Sequence, residues 1–243
     1  MIINISSKQN TKIKEIGKLI SDNSYRKERK EFVIEGFHLL EMALEDRLVK
    51  AIFSLEPIKN IDEKITNYIV SEDILKKIST QKNPQGVIAI CSMRKEKEIS
   101  HNNVLYLDGV SDPGNLGTLL RTALAFSFKD VILSKGSVSL YNEKTISSSQ
   151  GAIFRLNIIS GDEQNLINLK EKGYKILATE IKGSVELKNI KKSDKQVLIL
   201  GNEAHGVNEK ILNLADERIR IDINEIESLN VAICGAIMMH YLR

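Results

Sequence analysis

The sequence predicts an α/β protein of two domains, a small one over residues 1–95 and a larger one over residues 104–243. Short apolar runs of strand length alternate with helical stretches along nearly the whole chain, which is typical of an α/β fold. In the second half the alternation is regular, and it favours a parallel sheet covered by helices on both faces. Between the halves, residues 96–103 are polar and charged without an apolar period, as in a linker.

The first domain opens with a basic segment. Residues 8–30 hold eight basic and three acidic side chains, and the apolar residues at positions 13, 16, 19 and 20 fall on one helical face. A helix with a basic outer side suits the phosphate backbone of a nucleic acid. A solvated helix surface explains the charge alone equally well. The candidates for nucleic-acid contacts are Lys12, Lys14, Lys18 and Arg26.

The other elements of the first domain follow from its apolar runs. Strands are predicted over residues 32–34, 51–53, 67–70 and 86–91, and helices over residues 37–44 and 72–78. Their alternation predicts a small α/β domain.

The second domain repeats this alternation on a larger scale. Strands are predicted over residues 104–107, 131–133, 153–159, 174–179, 197–200 and 218–221, and helices over residues 116–126, 163–172, 208–215 and 229–243. Ser228 is placed to cap the last helix. That helix is apolar nearly all round, so more than one partner must cover it.

Composition excludes several classes of protein. Hydrophobic residues make up 42% and charged residues 28% of the chain, an ordinary balance for a globular protein. No signal peptide or membrane-spanning run is visible, which predicts a cytoplasmic protein. Cys91 and Cys234 are expected to be reduced core thiols. The four histidines lack ligand spacing, so no metal site is predicted.

Ligands of parallel sheets bind at the carboxyl ends of the strands, so the turns there are informative. Three stand out: LDGVSDPGNLGTLLRTA (107–123), LGNEAHGV (200–207) and ESLNVAICGAIMMHYLR (227–243). Taken singly, Asn115 and Ser228 are explained as helix caps and Arg121 as a surface residue. The chain has neither a G-x-G-x-x-G loop nor a P-loop, which disfavours a nucleotide-dependent oxidoreductase and an NTPase.

In this order the three segments resemble the three sequence motifs of the SpoU/TrmH family of RNA ribose methyltransferases. NEKTISSSQGAIF (142–154) resembles the family's intervening segment. ISSKQNTKIKEI, RKEFVIEGFHLLEMAL and NPQGVIAI resemble the substrate-binding domain that many members carry first. The likeness covers nearly the whole chain.

The resemblance implies a C-terminal SPOUT domain with a deep trefoil knot, preceded by a small α/β RNA-binding domain. Knots are very rare, so the pattern of strands and helices alone predicts a plain doubly wound sheet. The resemblance also implies S-adenosylmethionine as cofactor, no metal, and methyl transfer to a ribose 2′-hydroxyl. The positions that match the family's catalytic residues are Arg121, Asn115, Glu203, Ser228 and Asn230. The positions that match its cofactor-binding loops, which act largely through main-chain groups, are Gly201, Ile221 and Leu229, with Leu200 and Thr179 beside them.

Three departures from the family pattern bear on substrate contacts. Asp222 stands where a proline is common, Ala204 and His205 where a glycine is common, and Ser147 where an arginine is frequent. Arg121 has been assigned the role of base in the family, yet a guanidinium stays protonated at neutral pH. It is better suited to hold an RNA phosphate or to stabilise alkoxide charge.

The partners implied are an RNA and a second copy of the chain. The first domain resembles those of members that act on large-subunit ribosomal RNA, which favours that substrate over transfer RNA. A transfer-RNA methyltransferase and a catalytically silent RNA-binding or ribosome-assembly protein are the alternatives. Members pair through helices of the knotted domain, and the apolar last helix predicts a homodimer joined at Ile233, Ile237, Met238 and Tyr241.

Overall fold

The computed structural model describes all 243 residues and divides into two compact units. The first unit holds residues 1–95 and 141–154, and the second holds residues 96–140 and 155–243. The sequence assigned residues 141–154 to the second domain, so their place in the first unit differs from that prediction. Aromatic packing explains it: the ring of Phe32 lies 4.5 Å from that of Tyr141 and 6.4 Å from that of Phe154.

The first unit is built on a mixed five-stranded sheet in the order β1-β4-β3-β5-β2, in which β5 runs antiparallel to both of its neighbours. Its elements are β1 Ile2–Ile5, α1 Thr11–Ser21, α2 Asn23–Arg29, β2 Glu31–Glu35, α3 Phe37–Glu45, β3 Val49–Ser54, β4 Thr66–Val70, α4 Glu72–Ile78 and β5 Val87–Ser92. The strand β1 was not predicted. Three of its four residues are exposed, so no buried apolar run marks it.

The basic segment forms two helices rather than one. Asn10 caps α1 by accepting a hydrogen bond from the N–H of Lys12, and α1 buries Ile13, Ile16 and Leu19 as its pattern predicts. Asp22 ends α1 and caps α2.

The second unit contains a seven-stranded sheet in the order β10-β12-β9-β11-β6-β7-β8, and every pair of neighbours is parallel. The predicted α/β class and parallel sheet are therefore confirmed. Its first elements are β6 Asn103–Leu107, α5 Pro113–Ala125 and β7 Asp130–Ser134; the chain then enters the first unit as α6 Glu143–Ser149. The elements that follow are β8 Asn157–Gly161, α7 Glu163–Glu171, β9 Lys175–Thr179, β10 Val185–Glu186, β11 Gln196–Leu200, α8 Glu209–Leu212, β12 Glu217–Arg220 and α9 Val231–Leu242.

Three predicted boundaries are corrected. The apolar run at 153–159 is a 3-10 turn, Ala152–Phe154, followed by β8, because periodicity alone does not separate a short buried turn from a strand. The last helix is capped by Asn230 rather than Ser228: the Asn230 side chain accepts hydrogen bonds from the N–H groups of Ala232 and Ile233. Similarly, Asp112 rather than Asn115 caps α5.

The helices α5 and α9 pack closely on the sheet. A Cβ atom on Gly235 of α9 would lie 2.5 Å from Leu119 of α5 and 2.6 Å from Leu200 of β11, so a larger residue there would displace both buried leucine side chains. Met238 is only 1% exposed, whereas Ile233 and Ile237 are 55% and 41% exposed. The prediction that Met238 lies in a dimer interface is therefore wrong, because this side chain belongs to the core of its own unit.

At the amino end of the sheet, Asp130 forms a buried polar junction. Its carboxylate accepts hydrogen bonds from the main-chain N–H groups of Ser100 (3.0 Å) and His101 (2.7 Å) and from Nδ2 of Asn157 (2.6 Å). These hydrogen bonds connect the residues just before β6 to the first residues of β7 and β8.

The structure also bears on thiols, membranes and metals. Cys91 is buried, Cys234 is half-buried, and both are free thiols; burial raises the pKa of Cys234 to about 11, which makes its thiol unreactive at neutral pH. None of the helices combines the length and apolar character needed to span a bilayer. No cluster of three or more His, Cys, Asp or Glu residues is arranged to hold a metal ion.

Candidate functional site

Glu203 lies at the centre of a polar network at the carboxyl ends of the neighbouring strands β6 and β11. Its carboxylate accepts hydrogen bonds from the N–H (3.1 Å) and hydroxyl (2.8 Å) of Ser111, from the N–H of Asp112 (3.2 Å) and from Nδ2 of Asn115 (3.0 Å). These donors all come from the turn after β6 and the first turn of α5. The carboxylate therefore joins the first and second motif segments.

The environment of Glu203 strongly favours the ionised form. Burial raises the pKa of this carboxyl, but hydrogen bonds donated by Asn115 and Ser111 outweigh burial and lower the pKa to about 2. A carboxylate with so low a pKa is a poor proton acceptor at neutral pH. The geometry therefore suits Glu203 to holding other groups in place.

Asn115 connects this network to the third motif segment. Its Oδ1 accepts a hydrogen bond from Nδ2 of Asn230 (3.0 Å), while Oδ1 of Asn230 accepts from the N–H groups that begin α9. The Glu203 carboxylate can only accept a hydrogen bond, so Asn115 must turn its NH2 group towards it. The N–H groups at the start of α9 can only donate, so Asn230 must turn its oxygen towards them. With these orientations the NH2 group of Asn230 donates to the oxygen of Asn115, and all partners are satisfied. The site's amide groups are thus held in a defined direction.

The loop after β11 is shaped by a tight approach of two main-chain segments. A Cβ on Gly201 would lie 2.1 Å from the carbonyl carbon of Gly206, so the loop requires glycine there. Asn202 holds the loop by donating to the carbonyl of Gly109 (2.7 Å) and accepting from the N–H groups of Ala204 and His205.

The residues proposed to bind the cofactor lie along the same edge of the sheet. Thr179 and Leu200 end the neighbouring strands β9 and β11, Gly201 follows β11, and Ile221 follows β12. Residues 221–229, which include Ile221 and Leu229, form no main-chain hydrogen bond with the rest of the chain. Their N–H and C=O groups are available to a ligand, which fits recognition through the main chain.

Two predicted site residues lie outside the network. Arg121 is exposed on α5, and its guanidinium forms no hydrogen bond or ion pair within the chain. It lies six residues after Asn115, which corresponds to about 9 Å along the helix and a different face. Ser228 is exposed and forms no hydrogen bond, so the structure gives it neither the cap nor a place in the network.

Of the four basic candidates in the first unit, three are exposed on α1. Lys12 pairs with Glu15 (2.9 Å), and the ammonium of Lys18 lies 5.6 Å from the ring centre of Tyr25. Arg26 is different, because it is 4% exposed and donates to the carbonyls of Leu19 and Ile20 at the end of α1. The prediction that Arg26 binds RNA is corrected: its guanidinium links α2 to α1 by hydrogen bonds.

Sequence reasoning missed Ser111 and Asn202, although both stand inside the quoted segments. Ser111 precedes the Asp-Pro-Gly turn and Asn202 precedes Glu203. A hydroxyl or amide beside a turn has many uses, so only the fold shows that Ser111 binds Glu203 across 92 residues of sequence.

Comparison with known proteins gives a consistent result. Residues 102–240 match the model of the SpoU rRNA Methylase family, and residues 10–89 match that of the MRM3-like substrate binding domain. The chain is 34% identical over 245 residues to the 23S rRNA (guanosine(2553)-2′-O)-methyltransferase RlmP of Bacillus subtilis, covering 98% of each chain.

Solved structures agree with these matches. An AdoMet-bound rRNA methyltransferase from Sinorhizobium meliloti is 27% identical with a TM-score of 0.90, and the match covers 100% of this chain and 97% of that one. A putative RNA methyltransferase of the TrmH family from Porphyromonas gingivalis is 26% identical with a TM-score of 0.87, covering 98% and 99%.

Proposed function

The chain belongs to the SpoU rRNA methylase family, and from this premise we propose that it transfers a methyl group from S-adenosylmethionine to a ribose 2′-hydroxyl of RNA. Large-subunit ribosomal RNA is the favoured substrate, because the Bacillus subtilis relative is named for 23S rRNA and is similar over the full length. The proposed place of action is the cytoplasm.

The hydrogen-bond network around Glu203 supports the proposal independently of family membership. Glu203, Asn115 and Asn230 come from three separate segments and are joined by hydrogen bonds at the edge of the sheet where parallel α/β folds bind ligands. A silent RNA-binding protein has no need to hold these amides in one direction. The network therefore favours the enzyme over the silent alternative.

The residues present fit S-adenosylmethionine. The unpaired main-chain groups of residues 221–229 offer N–H and C=O partners to a ligand recognised through the backbone. When bound, the cofactor would supply a sulfonium methyl group, which would pass to the ribose 2′-oxygen as the methyl–sulfur bond breaks and S-adenosylhomocysteine leaves. We propose that Gly201, Ile221 and Leu229 hold it, with Thr179 and Leu200 at the strand ends.

The remaining task of the chain is to align the ribose and to stabilise charge. Alignment is the larger contribution that a transfer without a covalent enzyme intermediate requires. Asn115 and Asn230 present fixed amides to the site, and Glu203 keeps Asn115 in place. Arg121 carries a permanent charge and a free guanidinium, which suits an RNA phosphate or a developing alkoxide.

We propose that the working form is a homodimer. Ile233 and Ile237 form an exposed apolar stripe on α9, and α9 packs beside α5, which carries Arg121 on its exposed side. A two-fold interface buries the same stripe on both copies. Because Arg121 points away from the network of its own chain, pairing through this face would bring it to the partner's site.

The decisive experiment compares RNA from cells with and without the gene. Mass-spectrometric mapping is expected to find one 2′-O-methyl group that disappears with the gene and returns with the wild-type copy. A copy carrying Asn230→Ala is the control, and it is expected not to restore the mark. If the mark lies in transfer RNA, the choice of substrate is wrong; if no mark changes, the enzyme proposal fails.

A further inference from the structure

The first unit contains a cavity of about 310 Å³ that the network at Glu203 does not use. It lies between α1, β2, α4 and α6, and all of its lining residues belong to the first unit. This volume falls at the lower end of the range for small-ligand sites, about 300 to 1,000 Å³. The helix α6 completes the cavity, although in sequence it lies between β7 and β8 of the other unit.

The inner wall of the cavity is aliphatic. Ile34, Ile78 and Ile146 are buried side chains in its lining, and Ile20 is half-buried beside them. The apolar surface of a ligand gains by leaving water for such a wall.

The polar lining contains two carboxylates, which only accept hydrogen bonds, beside Lys144 and the side chains of Thr80, Gln81 and Ser147. The Glu35 carboxylate is held in place by the hydroxyl of Ser79 and by the N–H of Thr80 (3.1 Å), and Glu143 lies in the first turn of α6. Two carboxylates disfavour the entry of a phosphate group. They favour a ligand that presents N–H donors.

We propose that this cavity binds one unpaired nucleobase of the RNA substrate. The ring would lie among the aliphatic side chains, and its N–H groups would donate to Glu35 or Glu143. Proteins that read single-stranded RNA hold splayed bases between side chains, commonly aromatic or arginine, and hydrogen-bond to the base edges; here aliphatic side chains would take the stacking position. Lys144, also in the lining, would face the flanking phosphate. The inference rests on the proposed function only in naming RNA as the source of the base.

The test follows the Ile δ1-methyl signals of the full chain by NMR while each of four nucleoside 5′-monophosphates is added. The signals of Ile20, Ile34, Ile78 and Ile146 are expected to shift and saturate, whereas those of Ile132 and Ile158 in the second unit stay fixed. Guanosine, adenosine and cytidine monophosphates are expected to bind several-fold more tightly than the uridine form, which lacks an exocyclic amine. The absence of saturable shifts with all four probes would overturn the proposal.

Two variants sharpen the test. Ser147→Phe fills the cavity and is expected to weaken nucleotide binding at least tenfold, whereas Ser148→Phe, on the same helix but outside the lining, leaves it unchanged. Glu143→Gln retains the shape and is expected to reduce the preference for amine-bearing bases. Equal affinity of Ser147→Phe and the wild type, with both melting at the same temperature, would refute the assignment.

A parallel assay separates this inference from the proposed function. If the wild type shows the nucleotide shifts but transfers no methyl group to RNA from the deleted strain, the enzyme proposal fails and the base-binding cavity stands. If it transfers methyl groups and Ser147→Phe does so with the same KM, the cavity plays no part in substrate binding and the inference fails.

Discussion

Glu203 is the residue at which the sequence and the structure assign different tasks. Family resemblance places it among catalytic residues, but four hydrogen bonds and a pKa of about 2 make it a poor base. We expect Glu203→Gln to lower kcat/KM roughly 10- to 100-fold, since hydrogen bonds to a charged group contribute about 1.5–3 kcal/mol. The shape of the pH profile between pH 5 and 9 should not change. Loss of an acidic limb in the variant would instead identify Glu203 as the base; Glu209→Gln, on the exposed start of α8, is the matched control.

Arg121 is the opposite case, a residue without any partner in its own chain. We expect Arg121→Ala to abolish methyl transfer while binding of S-adenosylhomocysteine by calorimetry stays within a few fold. Stability should change little, because the side chain is exposed and unpaired. Arg121→Lys keeps the charge but not the planar fork, so partial activity is expected. A collapse of cofactor affinity in a folded variant would contradict this role; Lys129→Ala provides a second exposed cation as control.

The helix α1 carries the prediction for RNA binding. Replacing Lys12, Lys14 and Lys18 together by glutamine is expected to weaken binding and to reduce the slope of log K against log salt by about 0.7–0.9 for each phosphate that is no longer neutralised. Filter binding at several salt concentrations measures this slope. An unchanged slope means that these lysines are only solvated. Arg26 is left out because it is buried, and its removal would loosen the junction of α1 and α2.

The amino end of the sheet carries a prediction about acid stability. Burial raises the pKa of Asp130, but hydrogen bonds from Asn157, His101 and Ser100 outweigh it and leave the pKa lowered. A lowered folded-state pKa stabilises the fold above the unfolded value, about 3.9, and this contribution is lost as the pH falls through the folded pKa. We expect urea midpoints of the wild type to fall more steeply below pH 4 than those of Asp130→Asn. Parallel curves would contradict the assignment.

Among the elements, the sequence predicted best those whose apolar residues are also the buried ones in the structure. The central strands β6, β9 and β11 are buried on both faces and were found as continuous apolar runs. The caps were predicted less well: Asn230 and Ser228 are both good capping residues two positions apart, and only the hydrogen bonds decide between them. The burial of Arg26 and the bond from Ser111 to Glu203 depend on tertiary contacts that no local pattern encodes. The knot stays a prediction from resemblance.

At the scale of the whole molecule, the exposed stripe on α9 predicts the oligomeric state. We expect Ile237→Asp to convert a dimer into a species at the chain mass of 27.3 kDa by light scattering, with activity lost. Phe37→Asp, an exposed apolar residue of the first unit, is the control and should remain dimeric. Met238 is unsuitable for this test, because a charge in its buried position would unfold the unit. A wild type that is monomeric and active would refute the dimer.

Mixed dimers test whether Arg121 serves the partner's site. We expect chains with Arg121→Ala and chains with Asn230→Ala each to be inactive alone, and equal mixing to make half of the dimers hybrid. If Arg121 acts across the interface, each hybrid has one complete site and about a quarter of the wild-type activity returns. If it acts within its own chain, the mixture stays inactive.

The return of residues 141–154 to the first unit has a consequence for the order in which the protein is made. When residue 95 has emerged from the ribosome, all five strands of the first unit have been made. The helix α6 and the turn after it, which belong to the same unit, have not. The strands β6 and β7 emerge before α6 does. The unit that begins first during translation is therefore still incomplete when the second has begun; the first can be completed once residue 154 has emerged, and the second only after the residues that follow it.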